Sequence, residues 1–282
     1  MSTTVTPPPP VVPVGGQPPQ SPAPRSSSRV IAILAICLGV VLILGAITTA
    51  VFSAVRAAAV RTDTLTADAS GITSLDIDVE AAGFRIAYGS DEATLEVTGG
   101  GTDWRLERNG DTLEVRSHRP WWGRWDWWIG EERVVLTLPD RYADQTLDAS
   151  FDLGAGSITA NGTYGELELD LGAGAMDISG SAQSVDAQIS AGRASLDLDD
   201  VDTATLRLSA GSMDGELRGP LRSLALDVSA GRISMTIPDQ VYDLTEDKSA
   251  GEITHNLDTS SSSRNTITAS VSAGSIDLRA AR

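Results

Sequence analysis

Residues Leu167-Glu168-Leu169-Asp170-Leu171-Gly172-Ala173-Gly174-Ala175-Met176-Asp177-Ile178 carry the pattern that organises this 282-residue chain. Apolar and polar residues alternate up to an Ala-Gly pair and alternate again beyond it. A period of two turns one set of side chains inward and leaves the other in water, as in a half-buried β-strand. The phrase is written seven times between Phe151 and Leu278. Its centres are Gly154-Ala155-Gly156, Gly172-Ala173-Gly174, Ser190-Ala191-Gly192, Ser209-Ala210-Gly211, Ser229-Ala230-Gly231, Ser249-Ala250-Gly251 and Ser272-Ala273-Gly274. Successive final glycines are 18, 18, 19, 20, 20 and 23 residues apart. The third, fifth and seventh residues before the glycine are mostly apolar, as in Ile189, Ala187 and Val185, or Val228, Leu226 and Leu224. The second and fourth after it follow suit, as in Ile233 and Met235 or Ile276 and Leu278. A short repeat of strand, corner, strand and polar turn predicts an all-β, single-stranded β-solenoid.

The corners have a packing explanation. Coils stacked at the inter-strand spacing of about 4.8 Å bring each side chain against its own copy above and below, which favours Gly, Ala and Ser. Gly156, Gly174, Gly192, Gly211, Gly231, Gly251 and Gly274 are therefore structural corners, and no chemistry marks the column as a ligand groove. Seven such coils would extend on the order of 35 Å.

The rest of the chain is different material. Residues 1–29 hold nine of the thirteen prolines and cannot build a core, so a disordered tail with polyproline II character is expected. Residues 30–55 are 26 residues without a charge. At about 1.5 Å per residue they exceed the roughly 30 Å of bilayer hydrocarbon, which predicts one transmembrane helix. The run is longer than a signal-peptide core and sits behind the tail, which favours a retained anchor over a cleaved leader. Arg25 and Arg29 nearly balance Arg56 and Arg61 across it. The net charge of −17 breaks the tie. The tail contributes +2, so the remainder carries −17 − 2 = −19. A strongly acidic domain with no cysteine beyond the anchor suits the outside of a bacterial cytoplasmic membrane, with the N-terminus cytoplasmic. The same acidity excludes nucleic acid as a partner, because phosphate contacts need a basic stripe.

Residues 56–70 read as a linker, and 71–150 as an N-terminal part or cap ahead of the regular repeats at 151–282. Leu75, Ile77 and Val79 alternate with Asp76 and Asp78, and Ala81-Ala82 stands where later copies have Ala-Gly. The cap contains Arg119-Pro120-Trp121-Trp122-Gly123-Arg124-Trp125-Asp126-Trp127-Trp128, with five of the six tryptophans in eight residues. Trp joins a large apolar body to a hydrogen-bonding edge and favours interfaces. Trp121, Trp122, Trp125, Trp127 and Trp128 form the candidate contact loop for a membrane surface, a glycan or an envelope protein. The alternative is that they fold back and plug the stack.

No catalytic constellation stands out. His118 and His255 are far apart in sequence. His255 falls at an inward position of the sixth copy, beside Glu246 and Lys248, which predicts an irregular coil and a structural histidine. Asp197, Asp199, Asp200 and Asp202 could offer oxygens to calcium but lack the Gly-Gly-x-Gly-x-Asp spacing of calcium-binding β-rolls. No cofactor and no metal are expected.

The Ser/Gly-Ala-Gly series, preceded by Val134-Val135-Leu136-Thr137-Leu138-Pro139, resembles a bacterial β-strand-repeat family of unknown function. This is domain of unknown function 4097, whose members are described as adhesin candidates. The series is also similar to the "toast-rack" domains of envelope-stress membrane proteins. The resemblance covers about residues 71–282. It implies a membrane-anchored envelope domain and transfers no catalytic residue. The proline-rich tail, single anchor and tryptophan loop depart from the family pattern. The expected function is a non-catalytic interaction, adhesion or envelope-sensing module. The alternatives are a polysaccharide-acting β-helix enzyme, which needs paired carboxylates in a cleft, and a purely structural spacer.

Overall fold

The computed structural model describes residues 61–99, 102–118 and 132–282. The tail, the apolar run 30–55 and the tryptophans at 121–128 lie outside the described residues. The described chain is all-β apart from one short 3-10 turn, Asp140–Tyr142. Among the described residues no helix is long and apolar enough to cross a membrane.

The repeats form parallel, in-register coils. Strand β7 (Leu147–Asp199) runs for 53 residues through three Ala-Gly corners without leaving the ladder. Strands β8 (Thr203–Leu217) and β9 (Ser223–Ile237) are one coil each. Ile189, Ala191 and Gly192 of β7 lie opposite Leu208, Ala210 and Gly211 of β8. These in turn oppose Val228, Ala230 and Gly231 of β9. On the other side, β2 (Ser74–Ser90) sets Ile77, Val79 and Ala82 opposite Phe151, Leu153 and Gly156 of β7. Alternation does the rest: Leu167, Leu169 and Leu171 are buried while Glu168 between them is exposed. The inward side chains of all coils join one apolar core. Each large one contributes about 1.5–3 kcal/mol by leaving water.

The corner column is tight. Gly174 adopts φ +125°, and a Cβ there would run into the backbone of Gly156 in the coil below. Parallel stacking thus leaves no room for a side chain at this point.

Coil order in space departs from coil order in sequence at both ends. Strand β12 (Thr266–Ala280) holds the seventh copy and pairs directly with β9, matching Ala273 and Gly274 to Ala230 and Gly231. The sixth copy, in β10 (Asp243–Lys248) and β11 (Glu252–His255), pairs with the outer edge of β12 and ends the stack. Its inward positions explain why. Glu246, Lys248 and His255 stand opposite buried Ala269, Val271 and Leu278. A middle coil would bury these charges, whereas the last coil leaves Glu246 and Lys248 exposed. Lys248 Nζ pairs with Glu246 Oε2 at 2.8 Å, and His255 Nε2 lies 3.7 Å from Glu246 Oε1.

At the other end, β5 (Thr112–His118) and β6 (Arg133–Pro139) together form a coil outside β2. Strand β4 (Asp103–Asn109) then pairs antiparallel with β5. Strand β3 (Ala93–Gly99) does the same with β6, and β1 (Arg61–Ala67) with β3. Strand β1 falls within the stretch read from sequence as a linker. Its threonines favour a strand, and Leu65 and Ala67 pack against the core.

Replacing Gly174 with Ala should destabilise the protein by more than about 1 kcal/mol, since both φ and the backbone contact oppose a Cβ. Ser190→Ala, at an exposed corner position, should stay within about 0.5 kcal/mol. Urea titration of both variants followed by circular dichroism checks the difference.

Candidate functional site

Several outer charges of the regular coils are occupied with one another. Arg218 donates to Asp197 and to Asp199 at 2.5 Å each, and also pairs with Glu216 at 3.0 Å. Arg222 grips Asp202, and its hydrogen bonds hold that carboxyl below the usual range. Three of the four acids weighed as calcium ligands are thus held by arginines of the neighbouring coil. Arg207 likewise pairs with Asp186 at 2.7 Å, and Arg116 bridges Asp76 at 2.8 Å and Glu114 at 3.1 Å. Exposed pairs of this kind add little net stability and chiefly offset the repulsion that stacking acids creates.

One column is less well balanced. Asp78 of β2 faces Asp152 in the next coil, and Asp170 follows beyond it. Partial burial raises the pKa of Asp78, with Asp152 adding to the rise. Burial also raises Asp152, with Asp170 and Asp76 contributing. Repetition of an acid at one coil position stacks like charges across the ladder.

The seven corner glycines fall on the coils described above. Gly156, Gly174, Gly192, Gly211, Gly231 and Gly274 run as one column, each close to the backbone of its predecessor in the stack. Gly251 lies beside Gly274, on the outermost coil. The column changes at the β5/β6 coil. Asp78 pairs with Arg116 and Gly83 with Arg133. Four residues of β2 therefore correspond to sixteen of the outer coil, a stretch that includes residues 119–131. Trp121, Trp122, Trp125, Trp127 and Trp128 lie within that insertion and outside the described residues. Of the two histidines, His118 is exposed just before the insertion, its Nδ1 3.4 Å from Glu80 Oε1. His255 sits on the opposite end coil, so the structure does not bring the two together.

The sequence reading missed a cavity of about 380 Å³ at the β1–β4 end. Asp63 and Leu65 of β1 line it, with Thr102, Asp103, Trp104 and Glu132. Glu132 is 5% exposed, and neither of its carboxylate oxygens has a hydrogen-bond partner among the described residues. Thr102 Oγ1 and Trp104 Nε1 are buried without a partner as well. The Trp104 ring stacks on Phe84, with centroids 6.4 Å apart and planes 21° from parallel. The available signals were Gly99-Gly100-Gly101 before Thr102 and a tryptophan set apart from the other five.

Stacked parallel coils with a small-residue corner and antiparallel strands closing one end define a class of all-β repeat domain. The chain belongs to the Toastrack DUF4097 family, whose profile matches residues 72–281. Solved structures share a general likeness. An adhesin candidate from Bacteroides fragilis is 14% identical, covering 77% of this chain and 97% of its own, with a TM-score of 0.43. A cell adhesion candidate from Clostridium sporogenes is 9% identical, covering 79% and 100%, with a TM-score of 0.30. A lipid-binding candidate from Parabacteroides distasonis is 15% identical, covering 79% and 97%, with a TM-score of 0.32. Comparison with curated proteins returns no match.

The acidic column generates a pH prediction. Carboxyls with raised folded pKa values bind protons more tightly than the unfolded chain does. Their penalty is complete above the folded values and fades as pH falls towards the unfolded carboxylate range of about 4. Asp152→Asn should therefore stabilise the protein at pH 7 by about 0.2–1 kcal/mol, with the gain shrinking as pH falls towards about 4 and lost below it. Melting temperatures across that range test the sign.

Proposed function

We propose that this chain is a membrane-anchored, extracytoplasmic β-solenoid that serves as a non-catalytic interaction module for adhesion or envelope sensing. In this reading residues 30–55 cross the membrane, residues 1–29 remain cytoplasmic, and the tryptophan segment makes the contact. The observation that carries it is the sixteen residues between Arg116 and Arg133, where β2 has four. A corner held tight by backbone contact cannot carry a bulky side chain. The coil formed by β5 and β6 meets a parallel coil on one side only, and the sequence between these strands holds five tryptophans.

Support also comes from the regular coils, where Arg207, Arg218 and Arg222 engage acids across the ladder. Membership of the Toastrack family is consistent with a repeat scaffold. The acidic surface disfavours anionic lipid, so zwitterionic membranes and wall glycans are the better targets.

Residues 56–282 form one compact unit and supply the test fragment. It should co-sediment with phosphatidylcholine liposomes or with isolated cell-wall material. A variant with Trp121, Trp122, Trp125, Trp127 and Trp128 changed to Ser should stay folded by circular dichroism and lose most of that binding. An unfolded variant would make the tryptophans a plug for the stack. A folded variant that binds as well as the natural fragment would remove the segment from the function.

A further inference from the structure

We propose that the cavity between β1 and β4 binds a small organic ammonium ion bearing a neighbouring hydroxyl, the unit shared by amino sugars and amino alcohols. The cavity, about 380 Å³, has the size of a small-ligand site. The central observation is Glu132, 5% exposed, with both carboxylate oxygens unpartnered among the described residues. A buried, unpaired carboxylate opposes folding, so a counter-charge belongs beside it. Among the described residues the wall supplies none: Asp63 and Asp103 add negative charge, and no described lysine or arginine lines the cavity. The occupant is therefore a cation, held by charge-assisted N–H···O bonds to Glu132.

Two further groups narrow its chemistry. Trp104 Nε1–H can only donate, and it is buried without an acceptor. A bare metal ion would satisfy Glu132 and leave this donor unanswered. An ammonium ion with an adjacent hydroxyl satisfies both, and Thr102 Oγ1, also unpartnered, can donate or accept at the same oxygen. The Trp104 ring, braced by Phe84, gives the hydrocarbon part of the ligand an apolar wall.

The surrounding backbone accommodates this carboxylate. Gly99 adopts φ +145°, and a Cβ there would lie 2.7 Å from Glu132 Cγ. The missing side chain leaves space for the Glu132 stem. Three segments far apart in sequence thus converge on one unsatisfied polar group. The inference is independent of the role proposed for the tryptophan segment.

Titration calorimetry on the full chain in a non-ionic detergent tests it, with glucosamine and ethanolamine as probes. N-acetylglucosamine serves as the uncharged counterpart and calcium chloride as the metal alternative. One or both amines should bind saturably, and the tighter of the two identifies the source. Glu132→Gln should weaken binding by about tenfold or more. Without ligand, the same variant should melt at a higher temperature, because an amide is less costly to bury than a carboxylate. Should Glu132→Gln fail to fold, Asp63→Asn, at an exposed position on β1, provides the deciding loss of affinity. No amine binding by the natural chain would overturn the proposal. So would equal binding of N-acetylglucosamine, or calcium binding that excludes the amines and is lost in Glu132→Gln. A lower melting temperature for that variant would make Glu132 a residue of the fold and overturn it too.

Discussion

Parallel stacking in perfect register brings every residue against its counterpart one strand spacing away. At about 4.8 Å, whatever occupies a position must tolerate a copy of itself above and below. At the corner the backbone of one coil fills the place of the next coil's Cβ, and only glycine meets that condition at Gly174 or Gly211. Inward positions face the same rule with the opposite outcome. Stacked Leu, Ile and Val exclude water together, and their burial outweighs every outer ion pair by a factor of several. Outer positions obey it least comfortably. Where acids repeat, as at Asp78, Asp152 and Asp170, repulsion accumulates, and where Arg218 or Arg207 intervenes it is relieved.

A stack built on this rule has a difficulty at its ends, where a coil lacks a neighbour and its edge groups lack partners. The two ends resolve it differently. At one, β4, β3 and β1 turn antiparallel, and the polypeptide doubles back over its own edge. At the other, the chain skips outward to lay down β10 and β11 and then returns to slot β12 beneath them. The sixth copy is polar at inward positions because it is the lid. The seventh is apolar because it is interior. Inserting the final coil between earlier segments also ties the C-terminus into the ladder on both sides, so it cannot peel away singly.

Much of the repeat architecture was legible because its determinants are local. Alternation around Leu167–Ile178 specifies which side chains enter the core, and the Ser/Gly-Ala-Gly phrase specifies the corner. Coil order was less visible, since it depends on which edge each coil prefers. Yet Glu246, Lys248 and His255 carried the clue: charges at inward phase mark a terminal coil more simply than an irregular one. Strand β1 escaped notice because seven residues with two apolar contacts resemble a linker until β3 provides a partner. The cavity was the least legible feature. Asp63, Trp104 and Glu132 come from three segments, and nothing local signals that Glu132 is buried or that Gly99 makes space for it.

The same constraint governs where chemistry can reside. A side chain in a middle coil is engaged by its neighbours on both sides, and an unusual residue there would disturb two contacts at once. An end coil is released on one side. Buried Glu132, Trp104 and the insertion at 119–131 all belong to the end closed by antiparallel strands, where the ladder no longer demands that adjacent coils match. Replacing an interior coil with another of like pattern should leave the molecule's recognition unchanged, because such a coil supplies length and stability. Recognition is expected to change with the β4–β5–β6 segment, the part of the described chain that repetition constrains least.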